Sequence, residues 1–209
     1  MNTDFSRLAP VYDLLGSVVF FGALRRSQNY FLEEMNSPEK VLILGGGTGT
    51  FLIDLLKNSG IKSVDYVDIS PGMIKKAKKK FVNSEIQCEV NFICGGINEI
   101  PKNNYDLICT NYFLDCFSDE ALEGLIPQLE KSLAGKGHWL FTDFCQDESS
   151  GLNRRWLIRF LYGFFSVTCN LKIKQLPNFS THFKSADLEK INEKFFLRGL
   201  LKSVLFRKN

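Results

Sequence analysis

The stretch Val41 to Thr50, V-L-I-L-G-G-G-T-G-T, limits the possible folds more than any other part of the chain. Four apolar residues run into four glycines within five positions, and an apolar helical pattern follows at Phe51, Leu52, Leu55 and Leu56. The run reads as a buried strand, a tight turn and a helix N-terminus. Glycine lets a ligand sit against bare backbone at such a turn, with the exposed N–H groups of the next helix close by. An ordinary strand-to-helix turn has the same appearance, so the surrounding pattern must decide between them.

That pattern alternates. Strand 40–44 leads to helix 49–58, closed by Asn58-Ser59-Gly60, and strand 63–67 leads through Asp68 to Ser70 as N-cap, Pro71 as first helical residue and helix 71–82. Strand 89–94 ends at Gly95-Gly96, and strand 105–110 precedes helix 118–133, in which Gly124 and Pro127 predict a kink or a split. Gly135-Lys136-Gly137 turns the chain into strand 138–144. Five strands separated by helices predict βαβ units and a parallel sheet covered on both faces. Residues 14–35 read as one or two helices, 185–194 as another helix, and 195–207 as a C-terminal strand pair.

Within such a sheet, ligands lie beyond the carboxyl ends of the strands, where strand order reverses. The glycine turn is there, and so is Asp68, about 19 residues after Gly49. A carboxylate in that place can accept both hydroxyls of a ribose, or it can serve only as a helix N-terminal acid beside Ser70. The glycines fall at 45, 47 and 49, a G-x-G-x-G spacing. The dinucleotide fingerprint G-x-G-x-x-G fails at Thr50 and at Leu52, and the phosphate-loop motif is absent.

The runs V-L-I-L-G-G-G-T-G-T and V-D-I-S-P-G-M-I resemble the class I S-adenosylmethionine-dependent methyltransferases, in their small-molecule methyltransferase 11/25-like branch. Y-D-L-I-C-T-N-Y-F-L-D-C and L-A-G-K-G-H-W-L-F-T-D-F are similar to the family's fourth-strand and fifth-strand segments. The opening F-S-R-L-A-P-V-Y-D is similar to the start of the ubiquinone/menaquinone-biosynthesis C-methyltransferases. The resemblance covers about residues 5–145 and implies a Rossmann-like, seven-stranded, mostly parallel α/β sheet with a C-terminal antiparallel hairpin and helices on both faces. It implies a single domain over 1–209, with a helical cap at 1–39 and a substrate-lid insertion at 150–183.

The resemblance also implies S-adenosylmethionine as cofactor. Gly45, Gly46, Gly47 and Gly49 would approach its methionine part, Asp68 its ribose, and Ile69 with Met73 its adenine face, with Thr48 and Ser70 as further cofactor-binding candidates. Asn111, Tyr112 and Phe113 would line the site after the fourth strand, and Tyr12 would close over the cofactor. Two positions depart from the family pattern. Ile43 stands where an acid is usual before the first glycine, and Gly96 where an Asp usually meets the adenine amino group. Ile97 and Asn98 offer substitute groups. These departures keep a second reading open, a cofactor-binding but catalytically idle member acting as a partner or sensor.

Methyl transfer needs a general base only where the acceptor must lose a proton. The candidates are His182, in an aromatic loop, and Asp115 after the fourth strand. Each has a plainer reading, as an incidental loop histidine and as a cap of the following helix. His138 opens a strand away from the expected cleft. The lid region is rich in Phe, Trp and Leu, which suits a small hydrophobic or aromatic acceptor. Alternatively, Arg154, Arg155 and Arg159 face lipid headgroups in a peripheral membrane contact.

Bulk properties make a soluble cytoplasmic protein the default reading. A net charge of +3 gives no argument for nucleic acid. The five lysines of 75–80 read as a solvated helix face or as a site for an anionic partner. The six cysteines form no C-x-x-C pair and read as buried thiols such as Cys94 and Cys109, with no metal expected. No uncharged apolar run reaches the roughly 18 residues of a membrane span, and no signal peptide is evident.

Overall fold

The computed structural model describes residues 22–35, 37–57, 60–145 and 177–209. Its centre is a seven-stranded sheet in the order β3-β2-β1-β4-β5-β7-β6. Strands β1 (Lys40–Leu44), β2 (Ser63–Asp68), β3 (Glu89–Cys94), β4 (Tyr105–Asn111) and β5 (Leu133–Phe144) run parallel. β7 (Leu201–Lys208) lies antiparallel between β5 and β6 (Leu188–Phe196), giving the expected C-terminal hairpin. The order reverses between β1 and β4, so the crevice for a ligand opens at the end of β1.

Alternate side chains of the strands feed two cores. Val41, Ile43, Leu107, Cys109 and Leu140 pack with Phe51, Leu52 and Leu55 of helix α2 (Thr50–Lys57) and with Ile74 and Ala77 of helix α3 (Pro71–Val82). Leu42, Leu44, Ile108, Trp139 and Phe141 face Leu122, Leu125, Ile126 and Leu129 of helix α4 (Asp119–Lys131), together with Phe183 of helix α5 (Phe179–Lys184). The continuous apolar run of β1 follows from its central place, buried on both faces. Helix α1 (Ala23–Asn29) lies near the carboxyl edge of the sheet, its Ala23 packed with Leu200 and Leu201.

Four expectations need correction. Residues 185–194 are not a helix but mostly strand β6, and the hairpin pairs 188–196 with 201–208. Leu188, Ile191 and Phe195 have helical spacing, yet pairing with β7 decides the conformation; both faces of this edge strand are largely exposed, so no two-residue alternation marks it. Helix α4 is a single helix through Gly124 and Pro127. Cys94 is exposed, because β3 is the other edge strand, whereas Cys109 is buried as expected. His182 lies in a short helix, not in a loop.

Candidate active site

The glycine turn is held from β2. Gly45 N–H donates to the Val67 carbonyl at 2.9 Å, and Gly47 N–H to Asp68 Oδ2 at 2.8 Å. Asp68 Oδ1 accepts from Ser70 N–H, also at 2.8 Å. Burial pushes the Asp68 carboxyl above its ordinary range, and the N–H bonds of Ser70 and Gly47 oppose that shift. An ionised carboxylate has about four acceptor sites. With two used by the backbone, about two are left for a diol.

Three glycines are filled spaces and one is open. A Cβ on Gly45 would lie 2.7 Å from the Phe113 ring, one on Gly46 would collide with the hydroxyl-bearing edge of the Tyr66 ring, and one on Gly49 would lie 2.9 Å from Ala77 Cα of α3. Gly47, at φ 63°, faces nothing within 4 Å. Its backbone is therefore the part of the turn that a ligand can approach, beside the Asp68 carboxylate.

Tyr66 was not legible as a site residue. It stands beside Ile43 in the strand register, and its hydroxyl donates to the Gly47 carbonyl at 3.0 Å. Burial, then the Asp68 charge, push its phenol well above the ordinary value, so it remains a donor. Ile43, where the resemblance leads one to expect an acid, is core here; the turn is held at its own Gly47 carbonyl by a hydroxyl from the next strand. Tyr66→Phe is expected to weaken S-adenosylhomocysteine binding by about three- to tenfold, in line with the ~1 kcal/mol of a typical hydrogen bond. Calorimetric titration checks this, with the melting temperature as control.

Beyond Asp68, Ile69 is half exposed while Met73 is buried, its N–H capped by Ser70 Oγ. The missing Asp at Gly96 has a neighbour in its place: Glu99 accepts the Gly96 N–H at 2.8 Å, across the turn that holds Ile97 and the exposed Asn98. Thr48 is buried within the turn. Tyr12 and nearly all of the 150–183 insertion, including Arg154, Arg155 and Arg159, lie outside the described residues.

The ends of β4 and β5 form the other half of the crevice. Tyr112 has a left-handed backbone, φ 53°, and its hydroxyl meets Ser27 Oγ of α1 at 2.6 Å. Phe113 lies edge-on to Phe117, and Tyr112 is tilted against Phe144. Asp115 pairs with a residue that sequence reasoning passed over, Asp143. This wholly buried carboxylate accepts Phe144 N–H at 2.8 Å and Asp115 N–H at 3.2 Å. Burial raises Asp115 to about 6, and burial with the charge of Asp115 raises Asp143 well above the carboxylate range. The folded state thus holds protons that the unfolded chain releases near pH 4, and its stability falls as pH rises from about 4 to 7. Asp115→Asn is expected to gain roughly 1–3 kcal/mol on wild type across that window, measured as the difference between urea unfolding curves.

His182 is not placed like a free base. It is buried, and its Nε2 lies 2.7 Å from Asp119 Oδ1, which also accepts Asn178 N–H, so it clamps α5 to the start of α4. The bond to His182 holds the Asp119 carboxyl below its usual range. His138 pairs with Leu107 and Arg207 near the amino ends of the strands, away from the glycine turn. No metal-binding cluster of His, Cys, Asp and Glu occurs among the described residues.

A family model described as "Methyltransferase domain" matches residues 41–137, from the start of β1 into β5. Over that stretch the chain is similar to the class I methyltransferases. The cofactor of that family is S-adenosylmethionine. The malonyl-[acyl-carrier protein] O-methyltransferase 2 of Ilyobacter polytropus is 30% identical over 148 residues, 70% of this chain and 54% of that protein. The ubiquinone/menaquinone biosynthesis C-methyltransferase of Rickettsia bellii is 23% identical over 183 residues, 84% of this chain and 71% of that protein. The N-methyltransferase NodS of Bradyrhizobium japonicum, solved with S-adenosyl-L-homocysteine, shares the fold at TM-score 0.62 and 16% identity, with 90% of this chain and 84% of that one covered. The chain thus spans about half the length of the first of these methyltransferases. No helix among the described residues is long and apolar enough to cross a membrane.

Proposed function

We propose that this methyltransferase domain transfers the methyl group of S-adenosylmethionine to a small, largely apolar acceptor in the cytoplasm. The observation that carries the reading is Asp68, a buried carboxylate with acceptor capacity to spare, set against the open backbone of Gly47. When bound, the cofactor supplies an electrophilic methyl whose departure leaves an electron pair on sulfur. The chain's part is to hold and align. Asp68 takes the ribose hydroxyls, the glycine turn receives the methionine portion, and Ile69 offers an apolar face to the adenine. Phe113, Phe117, Tyr112 and Phe144 suit an apolar acceptor at the ends of β4 and β5. Where that acceptor loses a proton, Asp115 takes it, its affinity for protons raised toward neutrality by burial.

The idle reading is not favoured. Its motives were Ile43 and Gly96, and Tyr66 and Glu99 supply polar contacts at those two places. Titration with S-adenosylmethionine, S-adenosylhomocysteine and NADH tests the proposal. Binding of the two sulfur compounds is expected, and no heat from either at millimolar concentration would overturn it. Incubation of a metabolite extract with protein and labelled cofactor, read by mass spectrometry, then identifies the acceptor.

A further inference from the structure

Strand β6 ends the sheet, and among the described residues nothing pairs with its outer side. It is 9 residues long, and its Ile191 and Phe195 are 41% and 44% exposed. A long edge with exposed apolar side chains is a template for another strand unless its charges forbid the pairing. The charges on β6 are Glu189, Lys190, Glu193 and Lys194. Which strand they admit depends on the faces they occupy.

A bulge sets those faces. Lys190 stands opposite Phe206 of β7 and Asn192 opposite Leu205, so Ile191 is an extra residue in the ladder. Residues directly opposite share a face of the sheet, and successive pairs alternate. Lys190 and Glu193, opposite Phe206 and Val204, therefore share one face with Leu188 and Phe195, opposite Lys208 and Lys202. Glu189 and Lys194, opposite Arg207 and Ser203, share the other face with Asn192. Two ion pairs agree with this: Lys190 Nζ lies 2.7 Å from Glu193 Oε1, and an Arg207 nitrogen lies 2.6 Å from Glu189 Oε2.

With Ile191 set aside, the strand reads Leu188, Glu189, Lys190, Asn192, Glu193, Lys194, Phe195, an order that complements its own reverse. Against an antiparallel second copy with Asn192 opposite Asn192, Lys190 meets Glu193, Glu189 meets Lys194, and Leu188 meets Phe195. Each pairing occurs twice by symmetry, and each lies on one face. The next register in either direction that keeps the faces matched sets Lys190 against Lys190, or Glu193 against Glu193. Like charges directly opposite are destabilising, and opposite charges are favourable. The charges therefore select one register.

We propose that β6 is a self-recognition edge, through which two copies of the chain join antiparallel about a two-fold axis at Asn192 to make one continuous sheet. Such a contact is isologous, each residue meeting in the partner the residue that meets it. The Lys190–Glu193 pair within each chain is exchanged for the same pair between chains, while Glu193 keeps Lys202 and Glu189 keeps Arg207. The axis is perpendicular to the sheet, so the glycine turns of the two copies face opposite rims and neither crevice is covered by the contact.

The test uses the full chain and reads its mass by sedimentation from low to high micromolar concentration. Circular dichroism establishes folding, and S-adenosylhomocysteine affinity serves as a control. Wild type is expected to show a monomer–dimer equilibrium that added salt weakens, because exposed ion pairs are screened. Lys194→Glu brings two carboxylates together at both symmetric positions, and Glu189→Lys brings two ammonium groups together. Each is expected to weaken the dimer by about tenfold or more while binding S-adenosylhomocysteine within about threefold of wild type. An equimolar mixture of the two variants is expected to dimerise as wild type does, since each carries the charge the other needs. Lys190→Glu and Glu193→Lys make a second such pair. A wild-type chain that stays monomeric throughout the range overturns the proposal. So do variants that dimerise like wild type, which would place the contact elsewhere, and mixtures no more dimeric than their components, which would exclude this register.

Discussion

Asp68→Ala is expected to remove S-adenosylhomocysteine binding from the measurable range, or to weaken it by about a hundredfold or more. Two effects add. The diol loses a charged acceptor, worth about 1.5–3 kcal/mol for each hydrogen bond to an ionised group. The Gly47 and Ser70 N–H groups also lose their partner, so the turn no longer stands in its binding geometry. Asp68→Asn separates the two, since its one oxygen can still accept a backbone N–H while the charge is gone. It is expected to lie between wild type and Asp68→Ala. Calorimetric titration gives the affinities, and circular dichroism establishes that each variant is folded. An affinity for Asp68→Ala within about threefold of wild type would remove the ribose assignment.

Gly46→Ala is the second large effect. The added methyl collides with the edge of the Tyr66 ring, which is fully buried and has its hydroxyl tied to the Gly47 carbonyl. Neither the ring nor the turn can give way freely. Overpacking of this kind costs about 1–3 kcal/mol, which for a chain of this size corresponds to a melting point lower by roughly 2–12 °C. Cofactor affinity should fall with it, because the turn is pushed away from Asp68. Combining Gly46→Ala with Tyr66→Val makes room and is expected to recover much of the melting temperature while leaving the affinity low. A single Gly46→Ala variant that melts like wild type would show that the ring is not what excludes a side chain there.

The parts of the fold that could be read in the sequence are those in which one residue's chemistry leaves few choices. Val41–Leu44 had to be a central strand, the glycines had to be a turn, and Ser70-Pro71 had to begin a helix. Asp68 was legible because a carboxylate at a strand end has few uses. The C-terminal segment was misread because Leu188, Ile191 and Phe195 satisfy a helical period, while the edge position of β6 erases the alternation that marks a strand. Tyr66, Asp143 and the open valences of Asn111 were hidden for a different reason. Each depends on a partner 19 or more residues away, or on the lack of one, and no local pattern records that.

Helix α1 has a practical consequence. Its Ser27 holds Tyr112, beside Asn111, and its Arg25 makes a two-pronged ion pair with Asp54 of α2, the helix that follows the glycine turn. It therefore braces both banks of the crevice at once. The other end of the chain is differently placed. Strand β7 runs back to the far rim, where Arg207 pairs with His138 and Lys208 is fastened to the Glu130 and Leu133 carbonyls. A dye attached to the exposed Asn209 sits at that rim, at the opposite end of the strands from the glycine turn.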